Sequence, residues 1–327
     1  MTTSSDQTGL EAPFALARFR DGQAVRWGLV AGERIRPLEE QDLGAGGING
    51  FLAAPDWERL ENLAAEDGPW LPLDSVVLTA PVEPRQVLQT GANYRTHVID
   101  LVVAGLAKDD PRSPEEAREW AGKMMDDRQA NGEPYFFIGL PACVVGDDEP
   151  LILPSYSEKH DWELELAVVI GAEAFRVSKA DAMNHVAGYT IVNDITTRDL
   201  VFRRDMKEIG TDWYRGKNAP GFLPTGPFLV PAQFVDPSKL KVRLELNGEV
   251  MQDATTDDLL FDIPALVSAA SQNMPLLPGD LLLTGSPAGN GAHWGRLLRH
   301  GDVMTGSIQG LGTQVVRCVA EQTSGEA

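Results

Sequence analysis

Cysteine and positive charge are both scarce in this chain. It has two cysteines, Cys143 and Cys318. They lie far apart in apolar contexts and form no CxxC pair. That argues against a structural zinc site and reads as two buried thiols rather than a disulfide. Lysine and arginine number 28 against 48 aspartates and glutamates, a formal net charge of −20. Such a surface repels phosphate backbones and anionic lipid, so neither nucleic acid nor a membrane is expected as a partner. An anionic small molecule would need a locally positive site built from a metal ion, lysine or arginine. No apolar run approaches the ~20 residues of a membrane helix. Residues 1–13 lack a basic and an apolar stretch, so no signal peptide is expected and a cytoplasmic protein is the default.

Familiar catalytic signatures are missing too. There is no P-loop and no HExxH. Gly285-Ser286-Pro287-Ala288-Gly289 has its serine one place early for a nucleophile elbow. Gly289-Asn290-Gly291 follows the run LLLTG, but the third glycine of a dinucleotide loop falls late, at Gly295, and no βαβ unit surrounds it. A tight turn whose amides bind a carboxylate is the better reading.

The 327 residues are 43% hydrophobic, enough for one large domain or two unequal ones. Residues 1–12 read as a flexible tail. Three β-like runs follow, then a helix over 55–64, outlining a small N-terminal α+β domain that ends near residue 82. The remainder, 83–327, opens with the strand-like VLQTG and a helix over 93–106. Ser113 with Glu116 three residues on marks a capping box at the head of a second helix. That helix is either a solvated surface element or part of a lid over 93–131. Beyond Pro150 strands dominate, with Asn247-Gly248 as a hairpin signal and helices near 195–206 and 262–273. Strands do not alternate regularly with helices, so the chain reads as α+β and β-rich rather than doubly wound.

The segment Asp161-Trp162-Glu163-Leu164-Glu165-Leu166-Ala167-Val168-Val169-Ile170 carries the most information. On a strand, residues two apart share a face, so Glu163 and Glu165 point together with Ala167 and Val169 beyond them. Two carboxylates on an apolar face repel each other and are costly to desolvate; a cation is the simplest remedy. A solvated strand end is the competing reading. Asp194, at the end of GYTIVND, can supply a third oxygen. Three carboxylates without a nearby cysteine or histidine suit Mg²⁺ or Mn²⁺, and Ca²⁺ also accepts such donors. His97 and Asp100 are i, i+3 neighbours on the helix over 93–106, a spacing that serves a general base or merely a surface pair. Lys217 lies in a Gly- and Pro-containing stretch that reads as a loop. It is either solvated or, near a metal, a stabiliser of negative charge on oxygen.

Five segments in order resemble the fumarylacetoacetate hydrolase family: GANYRTHVID, HDWELELAVVIG, VAGYTIVNDITTRD, the Lys217 loop ending in PTGPFLVP, and LLTGSPAGNG followed by Gly301-Asp302. The resemblance runs from about residue 85 to the end. It implies a mixed β-sandwich or β-roll core, a catalytic domain preceded by the small N-terminal domain, and usually a homodimer. It assigns the metal to Glu163, Glu165 and Asp194 and a His–acid dyad to His97 and Asp100. Lys217 takes the oxyanion role, and Tyr94, Arg198, Thr284, Gly285 and Ser286 become candidate contacts for a keto-acid substrate. The reaction implied is hydrolytic cleavage of a C–C bond in a β-diketo or 2-oxo acid. Decarboxylation of an oxaloacetate-like acid and hydration or isomerisation are alternatives, and a silent binding paralogue is a further one. Two departures stand out: the dyad acid is Asp rather than the common Glu, and Ile138 stands where Phe-x-Lys is frequent. Both imply a less common substrate, bulkier or less anionic.

Overall fold

In the computed structural model, which describes residues 9–322 apart from 45, 108 and 147, the strand Leu164–Ile170 is buried along its whole length. Its alternation divides two cores. Leu164, Leu166, Val168 and Ile170 pack with Val242, Leu244, Met304 and Ile308. Ala167 and Val169 pack with Phe14, Leu16, Leu29 and Leu281. A strand covered on both faces explains the near-continuous apolar run in its sequence.

The strand belongs to a six-stranded sheet ordered Val230–Pro231, Val186–Asn193, Leu164–Ile170, Leu281–Leu283, Val87–Gly91, Tyr135–Gly139. One face meets a five-stranded sheet in which the hairpin Lys241–Leu246 and Glu249–Thr255 is joined by Asn247-Gly248. Both turn residues have positive φ, as the tight hairpin requires. The other face meets the N-terminal residues. Five strands between Ala15 and Thr79 form their own sheet. Leu16 exchanges backbone hydrogen bonds with Leu229, so this sheet and the remainder share a core rather than a bare linker. The architecture is α+β and strand-rich.

The helix expected over 55–64 runs Trp57–Ala65, capped by Asp56. The tail expected over 1–12 falls outside the described residues as far as residue 8. Beyond that, Leu10 is buried and bridges Gly310 and Leu311, because it finds an apolar partner at the sheet edge. The helix expected over 195–206 shrinks to Arg198–Val201. The β-branched Ile195-Thr196-Thr197 run favours extended backbone, and Thr196–Thr197 pairs with His160–Asp161 instead.

The helix Arg95–Ala104 follows the strand Val87–Gly91, and its first turn is held by Asp258, which accepts from the Thr96 amide and hydroxyl, both at 2.9 Å. The helix Pro114–Asn131 starts with the capping box read from the sequence. It lays Ala117, Ala121, Gly122 and Met125 inward. Arg95 reaches Asp126 at 2.6 Å, and Arg118 grips Asp100 through two N–H bonds at 2.7 and 2.6 Å. The two helices thus form one docked pair. No helix among the described residues is long and apolar enough to cross a membrane.

Candidate metal centre

Glu163, Glu165 and Asp194 converge, with one ligand oxygen from each lying within 4.8 Å of the others. Adjacent antiparallel strands bring them together: Leu164 pairs with Asn193 and Glu165 with Val192, so residue 194 lies opposite 163. The Asp194 amide donates to the Glu163 carbonyl at 2.8 Å, extending the ladder. Glu165 is buried and accepts from the Gly285 amide at 2.7 Å. Asp194 is buried and accepts from Gln89 Nε2.

Two cations brace the trio. Lys217 Nζ donates to Glu163 Oε2 at 2.5 Å and to Asp194 Oδ2. The sequence placed Lys217 in a loop, but it ends the short helix Trp213–Lys217, capped by Asp212, and is only 2% exposed. Arg198 donates through Nη2 to Glu163 Oε1 at 2.7 Å and through Nε to Asp161 Oδ2 at 2.6 Å. Two of its N–H groups are thus spent on the protein's own carboxylates.

The charges do not balance. Burial opposes the Glu163 charge, but Lys217 and Arg198 outweigh it and draw the carboxyl down to about 2. Asp194 is pushed up to about 6, by burial and by Glu163, against the pull of Lys217. Burial, then the charge of Asp194, drives Glu165 well above the ordinary carboxylate range. Carboxyls held close and driven towards protonation mark a site short of positive charge. An all-oxygen donor set of this kind fits a hard divalent cation, with room left for water or substrate.

His97 is half-buried beside this cluster. Burial lowers its imidazole below the ordinary value, against the opposing pull of Glu163; Arg198 lowers it further. The i, i+3 spacing puts Asp100 near enough to raise it slightly. No hydrogen bond joins the two in this structure; Asp100 Oδ1 accepts both bonds from Arg118. Tyr94 is fully buried with its hydroxyl unpartnered, and Glu165 adds to burial in raising its phenol. Thr284 spends its hydroxyl on the Leu166 carbonyl at 2.9 Å, and Ser286 accepts from Gln252 and donates to the Pro287 carbonyl. The turn 284–286 thus steadies Glu165 through Gly285. Ile138 is 69% exposed, on the face of its strand opposite Phe137, whose ring lies under Lys217.

Two participants escaped the sequence reading. Gln89 is one of two buried polar residues, with Thr90, in the run VLQTG, and it is the one that reaches the trio. Asp161 is fully buried, and two residues before Glu163 it shares that residue's face. Its carboxylate accepts from the amides of Trp162 at 2.8 Å, Gly291 at 2.5 Å and Ala292 at 3.0 Å, besides Arg198. The glycine-rich turn does bind a carboxylate, and it is the protein's own. Asp161→Ala should cost about 1–3 kcal/mol, since it removes one of the two carboxylates on Arg198 and leaves the Gly291 and Ala292 amides without their acceptor. Urea denaturation measures this, and a loss under about 1 kcal/mol would show that Asp161 does not carry the bracing of Arg198.

Residues 86–319 match the family model for the C-terminal region of fumarylacetoacetate hydrolase. The chain belongs to the fumarylacetoacetate hydrolase family. It is 34% identical over 255 residues to a human mitochondrial protein named oxaloacetate tautomerase FAHD2B, covering 77% of this chain and 72% of that one. Among solved structures it resembles fumarylacetoacetate hydrolase from Exiguobacterium antarcticum, with a TM-score of 0.73 and 27% identity over 94% of this chain and all of the other. It also resembles maleylpyruvate hydrolase from Sphingobium sp. SYK-6, solved with manganese(II) and pyruvate, with a TM-score of 0.70 and 26% identity over the same shares. Members of this fumarylacetoacetate hydrolase family thus include hydrolases and isomerases, and the acidic trio here is one that can hold a metal.

Proposed function

We propose that this chain is a divalent-metal-dependent tautomerase of a 2-oxo acid of the oxaloacetate class. The observation that carries the reading is His97, a single imidazole with lowered basicity beside the trio, whose expected acid partner is bound to Arg118. Moving one proton between carbon and oxygen needs a single base, whereas hydrolysis needs in addition a water oriented for attack. The identity with a relative named oxaloacetate tautomerase supports the same reading.

Glu163, Glu165 and Asp194 would hold Mg²⁺ or Mn²⁺. When bound, such an ion polarises the substrate carbonyl and lowers the cost of charge on its oxygen. His97 takes the proton from the carbon next to that carbonyl. The electron pair of the broken C–H bond forms the C=C bond, and the former carbonyl oxygen becomes negative. His97 then returns the proton to that oxygen and gives the enol. Lys217 and Arg198 hold the ligand carboxylates in place, and the docked pair of helices keeps His97 over the site.

Hydrolytic cleavage of an acylpyruvate-like acid is the second reading, favoured by the likeness to maleylpyruvate hydrolase with manganese and pyruvate. It needs the same enolate and, in addition, an activated water. The enol of oxaloacetate, added to protein with Mn²⁺, is expected to disappear faster than in buffer, with EDTA stopping the effect and no carbon dioxide released. Cleavage of acylpyruvates without any effect on the oxaloacetate enol would favour the second reading.

A further inference from the structure

The turn Gly291–Trp294 is one short helical turn at the surface, yet it is closely fastened. Asp161 takes the amides of Gly291 and Ala292. The Asn290 side chain caps the His293 amide at 3.1 Å. Trp294 Nε1 donates to the carbonyls of Met251 and Gly289, both at 3.1 Å, and Trp162 Nε1 donates to Gly289 as well, at 3.0 Å. A Cβ on Gly291 would lie 2.2 Å from the Arg296 carbonyl and 2.6 Å from Asp161 Oδ1, so only glycine seats the turn this closely. Through Asp161 and Arg198 the turn is tied to Glu163 by two ion pairs.

What this mounting presents is His293. Its ring is exposed, and neither ring nitrogen has a hydrogen-bond partner. The turn that carries it binds Asp161, which pairs with Arg198 at 2.6 Å, and Arg198 pairs with Glu163 at 2.7 Å, so the turn lies on the Arg198 side of the trio. The inner cations each pair with two of the protein's own carboxylates: Arg198 with Asp161 and Glu163, Lys217 with Glu163 and Asp194. On the docked helices Arg118 is committed to Asp100 and Arg95 to Asp126. In a chain of net charge −20, a second substrate carboxylate would meet repulsion unless a donor waits for it.

We propose that His293 is the specificity-determining residue that takes the distal carboxylate of a dicarboxylic 2-oxo acid at the mouth of the site. The inference rests on the tautomerase reading for the placement of the keto-acid end. It differs from the expectation of a bulkier or less anionic substrate drawn from Asp100 and Ile138: Ile138 lies on the strand face opposite Phe137, and the distal donor would come from another loop. His293 is exposed and offers its ring N–H without a desolvation cost, and a charge-assisted hydrogen bond at such a position contributes about tenfold in affinity.

The test compares oxaloacetate with its 4-methyl ester in the Mn²⁺-loaded protein. For His293→Ala, KM for oxaloacetate should rise about tenfold with kcat nearly unchanged, while the ester is unaffected. His293→Lys should restore most of the preference for the diacid. An equal loss with both compounds, or no loss with either, overturns the inference. Calorimetric binding of the two compounds separates this from the function itself. If neither is turned over but oxaloacetate binds more tightly in a manner that depends on His293, the tautomerase reading fails and the inference stands. If binding shows no such dependence, the inference fails whatever the turnover.

Discussion

Replacing Glu165 by glutamine should abolish divalent-cation binding and at the same time stabilise the metal-free protein. Glu165 is 2% exposed, and its one hydrogen-bond donor is the Gly285 amide. Lys217 places its ammonium on Glu163 and Asp194, leaving Glu165 with two like-charged neighbours and no ion pair of its own. Glutamine keeps the shape and removes the charge. Neutralising a buried, poorly compensated carboxylate gains about 1–3 kcal/mol. Loss of a ligand should weaken Mn²⁺ binding by at least about a hundredfold, beyond the range seen when outer partners are removed. Urea denaturation of metal-free protein gives the first quantity and calorimetric titration the second. In the wild type, saturating Mn²⁺ should raise the melting temperature, and in Glu165→Gln it should not. A variant that is less stable and binds Mn²⁺ unchanged would falsify the metal centre. The opposed signs matter, because a purely structural glutamate would lose stability on substitution.

The legible parts of this site are those in which a local pattern contradicts its surroundings. Glu163 and Glu165 were readable because a strand alternates faces and theirs is otherwise apolar, and the burial of Glu165 follows from that same pattern. Asn247-Gly248 and the Ser113 capping box were readable because both are complete within four residues. What was not readable depends on distant chain. Gln89 reaches Asp194 across more than a hundred residues of sequence. Lys217 resembles a loop lysine because Gly216 and Pro220 flank it, yet two carboxylates from other strands bury it. The spacing of His97 and Asp100 correctly put them on one helix, but the partner of Asp100 comes from the next helix, where no helical period points. The glycine-rich turn at 289–291 was read as a carboxylate binder, and its chemistry was right. Asp161 has no feature in sequence to show that it is the carboxylate in question.

Replacing His97 by glutamine is expected to lower kcat by about 10²–10⁴-fold while leaving Mn²⁺ affinity unchanged, the range typical for loss of a positioned general base. His97 makes no hydrogen bond to the three carboxylates, so its removal leaves the trio and its braces intact. The companion variant Asp100→Asn separates a dyad from a single base. If Asp100 oriented His97 in catalysis, its loss should approach that of His97→Gln. With its carboxylate bonded twice to Arg118, the expected result is a fall in kcat of less than about tenfold, with the main effect a small loss of stability from loosened helices. The pH profile supplies a third reading. A base must be unprotonated to act, and burial has already lowered the His97 imidazole from its ordinary 6.5. Activity should therefore hold through neutrality and decline only as pH drops through a value below 6.5, and a cation bound in the trio would push that limb lower still. An acid limb above the ordinary imidazole value would mean that a carboxylate does partner His97 during turnover. In that event water activation, and with it C–C hydrolysis, becomes the better account of the site.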